Sequence, residues 1–522
     1  MGKGFFMEFL SKNIHMNITK SQAISQITVE DDLNLSEMNP DLEKIILEEG
    51  KIKIDEVKVT EEHVRIRGHL DVEILYITDD RDYVISKMNG KISFEEQMYL
   101  EQALSGVQVL VDSCIEDLSI GIVNSRKLSV RGVVMLKAKQ QVLEDLEICT
   151  EPNTNTLVQY RRTPLEYTQI TVCKKDIHRI RQEIELPTNM PNLFRMIWHQ
   201  IRPCGLEFYA VEGAIELKGE LEGYFIYEGE GEERPIRFFD QKIEFRGRIE
   251  EKNCHENMVL DIDSRLGSVD VEIKPDFDGE ERVLALEAVL ELDIKLYQKE
   301  KLMMLSDLYS TQMDVDLVTQ SSEMKMLATN NYGKCRVNGK INLIGNHKPI
   351  LQLLCAYGTA ILEENICVDG TIKVNGYVAV KCLYVTNDDR VPFDAVSGKI
   401  PFSYEMDAKG DYQKQENEVM VELDHIQATM EDGETILVAM SLNVKASIYE
   451  TKKIEVLTDV QIMPINPAKK KKLPQIIVYY AKEGEDLWKI GKQFYVSVEE
   501  LKERNHLEKE ECYKGQKILI LR

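Results

Sequence analysis

V-R-I-R-G-H-L-D-V-E-I-L-Y-I-T-D-D, residues 64–80, alternates apolar and polar side chains over most of its length. Val64, Ile66, Gly68, Leu70, Val72, Ile74 and Tyr76 fall on one face, and Arg65, Arg67, His69, Asp71 and Glu73 on the other. A period of two marks a strand with one buried face. The stretch returns at 372–388 as I-K-V-N-G-Y-V-A-V-K-C-L-Y-V-T-N-D. Gly68 meets Gly376, Tyr76 meets Tyr384 and Thr78 meets Thr386, each 308 positions on.

The offset persists downstream. Gly90-Lys91-Ile92 meets Gly398-Lys399-Ile400, Phe94 meets Phe402, and Lys137-Ala138 meets Lys445-Ala446. A middle copy stands at offset 151, with Gly219 for Gly68, Tyr227 for Tyr76 and Phe245 for Phe94. Its register slips by seven before Lys295, which answers Lys137. The extra residues belong either to Glu250–Met258 or to Pro275–Glu281. Self-similarity at a fixed spacing means repeated folding units. A glycine in mid-strand marks a bulge or a close backbone approach.

Leu42, Ile45 and Ile46 open the first copy at helical spacing. So do Leu193, Met196 and Ile197 in the second, and Ile350, Leu353 and Leu354 in the third. This predicts a short helix on each module. Asp79-Asp80 and Asn387-Asp388-Asp389 are turn residues. The expected organisation is an N-terminal arm (1–36) and three modules (37–150, 185–302 and 345–458), joined by polar connectors near 150–168 and 305–325. A linker (464–474) then carries the Lys469–Lys472 run and several prolines, read as an extended, solvated segment. A small domain (475–522) ends the chain.

That last domain reads as β-α-α-β. Ile476–Tyr479 and Ile518–Ile520 are strands, Asp486 caps one helix, and Ser497 with Glu500 forms a capping box on a second. Tyr479, Lys482, Gly484, Leu487, Trp488, Ile490, Leu501, Asn505, Gly515-Gln516 and Ile518 resemble the LysM family. The resemblance implies a ligand groove between the Gly484–Leu487 and Leu507–Tyr513 loops. Its candidate surface is Gly484, Glu485, Asp486, Leu487, Trp488, Lys489, Asn505, Leu507 and Tyr513. Where that family usually has Pro-Gly-Asp-Thr, this chain has Glu483-Gly484-Glu485-Asp486. The acidic loop favours protein recognition over N-acetylglucosamine polymers, for which binding is expected to be weak or absent. Trp488 reads first as a core or core-edge residue.

The G-x-L/V-x-V-x-x-L-Y-I/V-T strands, the G-K-I-x-F strands and the terminal LysM together resemble the spore-coat-associated (SPOCS) repeat family. The expected fold is therefore mainly β: three tandem modules with short helices plus a βααβ LysM domain. The resemblance implies a coat-assembly role in the mother-cell cytoplasm at the forespore surface. The implied partners are a SpoIVA-like coat-basement ATPase and other coat proteins. The alternative is a peptidoglycan- or cortex-binding LysM protein.

The residues also exclude classes of function. A net charge of −25 disfavours nucleic acid and anionic membranes as partners. Phe5, Phe6, Met7, Phe9 and Leu10 follow Lys3 but are broken by Glu8, which does not make an export signal. No stretch approaches the ~20 apolar residues of a membrane helix. Ten scattered cysteines form no C-x-x-C pair and suit a reducing compartment. Cys382, inside an apolar alternation, reads as a core residue. No catalytic motif is present, and the nine histidines read as isolated surface residues. The expectation is a non-enzyme without cofactor or metal.

Overall fold

The computed structural model describes residues 7–79, 84–101, 103–104, 106–153, 158–231, 234–343, 345, 347–368, 370–388, 390–408, 415–465 and 474–521. The Lys469–Lys472 run, Phe5, Phe6, Asp80 and Asp389 lie outside them. Each module has six antiparallel strands. The first holds β1 (Phe9–Asn34), β2 (Leu42–Thr60), β3 (His63–Thr78), β4 (Ile85–Tyr99), β5 (Val109–Asn124) and β6 (Lys127–Pro152). The second holds β7 (Val158–Glu185), β8 (Leu193–Val211), β9 (Ala214–Gly229), β10 (Ile236–Glu250), β11 (Val259–Pro275) and β12 (Glu281–Ser310). The third holds β13 (Met313–Asn342), β14 (Ile350–Val368), β15 (Thr371–Thr386), β16 (Phe393–Asp407), β17 (Gln415–Met430) and β18 (Thr435–Pro464).

Within a module two three-stranded sheets face each other, β2-β3-β4 against β1-β6-β5 in the first. The even face of β3 (Val64, Ile66, Leu70, Val72, Ile74, Tyr76) and that of β6 (Leu128, Val130, Val134, Leu136, Ala138) fill the space between them. The repeated tyrosine closes the end of this core: Tyr76 Oη donates to the Pro40 carbonyl at 3.1 Å, and Tyr227 Oη to that of Pro191 at 3.0 Å. The repeated glycine lies under the ring of the repeated phenylalanine, since Gly68 pairs with Phe94, Gly219 with Phe245 and Gly376 with Phe402. A Cβ on Gly376 would come within 2.1 Å of the Ile361 carbonyl and 2.9 Å of the Phe402 ring. Bulges on β2 and β14 lie opposite these glycines, so both sequence readings of them hold.

The helices expected at the module openings are strands. β2 is bulged between Leu42 and Lys44 and again between Ile45 and Leu47. β8 and β14 carry the same pair of bulges. Each bulge advances the alternation by one residue, so two bulges three residues apart imitate helical spacing on extended backbone. The bulges also split the apolar residues between two cores. Leu42 and Ile45 enter the module core, while Ile46 and Leu47 turn the other way.

Those outward residues meet their counterparts. Leu47, Trp198 and Cys355 occupy equivalent positions in the three copies and share one buried cluster. Leu75, Ile226 and Leu383 join them there, as do Ile85 and Phe393, with Ile236 packed alongside. Equivalent residues converging on one core place the three modules around a common axis, each touching both others.

The 1–36 arm and the two polar connectors are also corrected. From Phe9 the arm is β1, paired along its length with β6. Apart from 154–157, which lie outside the described residues, the connectors are the outer parts of β6, β7, β12 and β13, paired with their partners as far as Ser310 and Met313. The paired first and last strands of each module (β1 with β6, β7 with β12, β13 with β18) run beyond the sandwiches as ribbons and bundle through Met16, Tyr167 and Met324, again equivalent positions. Farther out, Met7, Leu308 and Val460 continue the bundle. Of the two places for the second copy's extra residues, the structure takes Pro275–Glu281, a turn at the tip of the β11–β12 hairpin. Cys382 is fully buried as expected. His69 is not a surface residue: it is buried between Asp55 (2.8 Å) and Asp71 (3.4 Å).

Candidate functional site

The C-terminal domain comprises β19 (Ile476–Tyr480), α1 (Leu487–Phe494), α2 (Val498–Asn505) and β20 (Lys517–Leu521), the expected order. Both N-cap residues accept as read, the capping box being seen from its Ser497 side. Asp486 accepts from the Lys489 amide at 2.9 Å, and Ser497 from that of Glu500 at 3.2 Å. Leu487, Ile490, Leu501, Ile518 and Ile520 make the core.

Trp488 extends that core onto the rest of the chain. Its indole N–H donates to Asp307 Oδ2 at 2.7 Å, and Tyr309 packs edge-on against the ring at 4.9 Å. Both come from β12. Arg161 of β7 lies 5.0 Å over the same ring and bonds Asp486 (2.8 Å) and Glu510 (3.3 Å). Tyr309 Oη donates to the Val496 carbonyl at 2.8 Å, Lys492 pairs with Asp307 at 2.5 Å, and Tyr495 donates to Asp314 of β13. The domain is thus seated on the ribbons of modules 2 and 3. Arg161 bridges the two loops that the sequence reading placed around a groove.

The candidate surface residues therefore separate. Asp486 and Trp488 are taken up by the seat. Glu485 braces its own loop, accepting from the Tyr479 hydroxyl at 2.9 Å and the Lys482 amide at 2.8 Å. Gly484 makes the loop's turn at φ +77°. Lys489 is exposed and donates to the Gly484 carbonyl. Leu487 is core, and Leu507 packs beside it. Asn505 ties α2 to β20 through the Leu519 carbonyl (2.8 Å) and amide (2.6 Å). Tyr513 is 72% exposed.

A second surface escaped the sequence reading. Ile476, Val478 and Tyr480 point away from the helices along β19 and are 65%, 47% and 61% exposed. Leu521 and Leu519 pair with the first two across the sheet. The signal was present in I-I-V-Y-Y, a continuous apolar run in a strand that can bury only one face.

Burial works against a charge on Asp486, but the Lys489 amide and Arg161 hold its carboxyl below the usual range. Its stabilising contribution is fully present above the ordinary carboxylate pKa of ~3.9 and is lost as pH falls through the lower folded value. At neutral pH the seat should hold. Trp198 is fully buried, so acrylamide quenching reads Trp488, the other of two tryptophans. Arg161→Ala with Asp307→Ala should increase that quenching several-fold without changing the far-ultraviolet circular dichroism. Equal quenching in variant and parent would mean that the seat does not protect Trp488.

Among the described residues no helix is long and apolar enough to cross a membrane. The SipL, SPOCS domain family matches residues 41–123, 194–274 and 349–431, and the LysM domain family matches 479–520. No curated protein and no solved structure matches the chain. The SPOCS matches place the chain among sporulation-related proteins; SPOCS and LysM domains are non-catalytic binding modules, LysM for peptidoglycan and related carbohydrate. Three SPOCS domains in tandem followed by a terminal LysM domain give the chain the SipL-like domain arrangement.

Proposed function

We propose that this protein is a non-enzymatic spore-coat morphogenetic scaffold acting in the mother-cell cytoplasm at the forespore surface. Its LysM domain binds a SpoIVA-like coat-basement ATPase and so promotes coat encasement. The observation that carries this reading is the division of the LysM surface. The side with the acidic loop and Trp488 is committed to the chain itself, while the apolar face of β19 is open. Exposed apolar patches rimmed by polar groups commonly mark protein contacts.

The test is capture of the basement ATPase from sporulating cells by the full chain and by Val478→Glu/Tyr480→Glu. The variant should lose at least tenfold in capture while keeping its circular dichroism. Undiminished capture would sink the assignment of this face. Peptidoglycan or cortex binding is the second reading, favoured by the LysM match. It requires retention on purified glycan that N-acetylglucosamine oligomers compete away, and that retention should rise in Arg161→Ala/Asp307→Ala if the groove loops are the binding element.

A further inference from the structure

Modules 2 and 3 meet where two bulges face each other. β8 is irregular between Cys204 and Glu207, and β17 between Leu423 and His425. Gly205, at φ +59°, turns its amide onto Asp424 Oδ1 at 2.8 Å. Bulges re-aim side chains, and these two bring together groups from three strands. Cys204 of β8, Glu222 of β9 and His425 of β17 place a thiol, a carboxylate and an imidazole nitrogen within 4.8 Å of one another.

The surroundings are those of a ligand set. Cys204 and Glu222 are buried, while the His425 side chain is 46% exposed, so the cluster opens to solvent on one side. His425 stands between two carboxylates. Nδ1 is 4.0 Å from Glu222 Oε1, and Nε2 is 3.8 Å from Asp424 Oδ2. Asp424 is itself buried and fixed by the Gly205 amide and by Lys334 at 3.1 Å. A ligating histidine is ordinarily oriented by a carboxylate on its far nitrogen; Asp424 is the neighbouring carboxylate, at 3.8 Å, and would have to close to hydrogen-bond distance to do so. Arg202 holds the other oxygen of Glu222. Lys242 occupies Oε1 at 3.1 Å but is mostly exposed and can withdraw into water.

The set departs from the repeat. Cys204 stands where the other copies carry Lys53 and Ile361, and Glu222 where they carry Asp71 and Ala379. Among the described residues this donor set therefore occurs at one of the three module interfaces. Thiolate, imidazole and carboxylate together suit zinc among the divalent metals.

We propose that Cys204, Glu222 and His425 bind a divalent transition metal of the zinc class, which pins module 2 to module 3. The Cys204 sulfur, a His425 ring nitrogen and Glu222 Oε1 are the ligands, with water in the fourth position on the exposed side. Binding releases the Cys204 proton to solvent and displaces the Lys242 ammonium from Oε1.

Metal-stripped, reduced full-length protein titrated with cobalt(II) chloride tests this. One equivalent should bind with a thiolate-to-cobalt charge-transfer band, and zinc(II) should displace it. Cys204→Ser should abolish the band. His425→Ala, at a half-exposed position where folding is not at stake, should weaken binding at least tenfold. Lys242→Gln should tighten it several-fold by removing the competing cation. Absence of binding, or an unchanged band in His425→Ala, overturns the proposal, because nine other thiols could then account for any cobalt taken up.

Discussion

Trp198→Ala should destabilise the protein by about 3–5 kcal/mol, the range for truncating a large aromatic in a packed core. Trp198 is 1% exposed and sits where all three modules meet, tilted against Tyr357 at a centroid distance of 6.0 Å. Its neighbours there belong to the first and third modules as well as its own, so the cavity would open in the joint between modules and not inside one sandwich. Denaturant unfolding followed by circular dichroism should show a lower midpoint and a broader, less cooperative transition. The repeat supplies its own control. Leu47 fills the equivalent position in the first copy, so Trp198→Leu should retain much of the lost stability. If Trp198→Ala unfolds with the parent's midpoint, the modules do not depend on this core.

The second large effect is expected at Lys445. Its ammonium reaches from β18 to Asp261 Oδ1 of β11 at 2.5 Å and also pairs with Asp263, joining modules 3 and 2 in a nearly closed environment. Asp261 is buried. Lys445→Ala removes that carboxylate's ion-pair partner, leaving it only the longer-range charge of buried Lys295, and breaking one side of a buried pair typically costs about 3–5 kcal/mol. Lys445→Met with Asp261→Leu removes both charges and should recover part of the loss, as buried pairs replaced by apolar groups often do, the remainder reflecting buried Lys295, which also depends on Asp261. Burial pushes the Lys445 pKa down, but Asp261 and Asp263 more than offset it and raise it above the lysine range. Stability from a raised pKa is fully present below the unfolded value of ~10.4 and is lost as pH rises through the folded one. The penalty in Lys445→Ala should therefore hold across neutral pH and shrink only in strong alkali. A single variant as stable as the double one would contradict the pairing.

Several elements were open to reading and others were not, for identifiable reasons. The β3 pattern survives because its odd positions as far as Glu73 are polar side chains outside the sandwich core, with His69 covered by its two carboxylate neighbours. The run I-L-Y-I at 74–77 breaks it, since Leu75 and Ile77 are buried in the joint between modules while Ile74 and Tyr76 fill the sandwich. That run announced a second buried face without saying what would cover it. The bulged openings at Leu42, Leu193 and Ile350 imitated helices because a bulge changes which face a residue points to without changing the residue types used. The ribbons looked like connectors because they are amphipathic only when three are bundled, and Ser321-Ser322-Glu323 between Leu317 and Met324 reads as a polar linker in isolation.

The LysM domain shows the same division. Asp486, Ser497 and the core at Leu487 and Ile490 act within a few residues of one another, so capping and amphipathic spacing disclosed them. Arg161, Asp307 and Tyr309 could not be attached to Trp488 from the sequence, because they lie more than 170 positions away and bear no pattern of their own. By itself the sequence determined the module, its threefold repetition and the small terminal domain, since each rests on periodicity or on chemistry local to the chain. Tertiary structure alone decided that the modules close around one axis and that the LysM domain is seated on their ribbons. It alone brought Cys204, Glu222 and His425 together. Those outcomes depend on which distant surfaces exclude water from one another, and nothing in local periodicity records that choice.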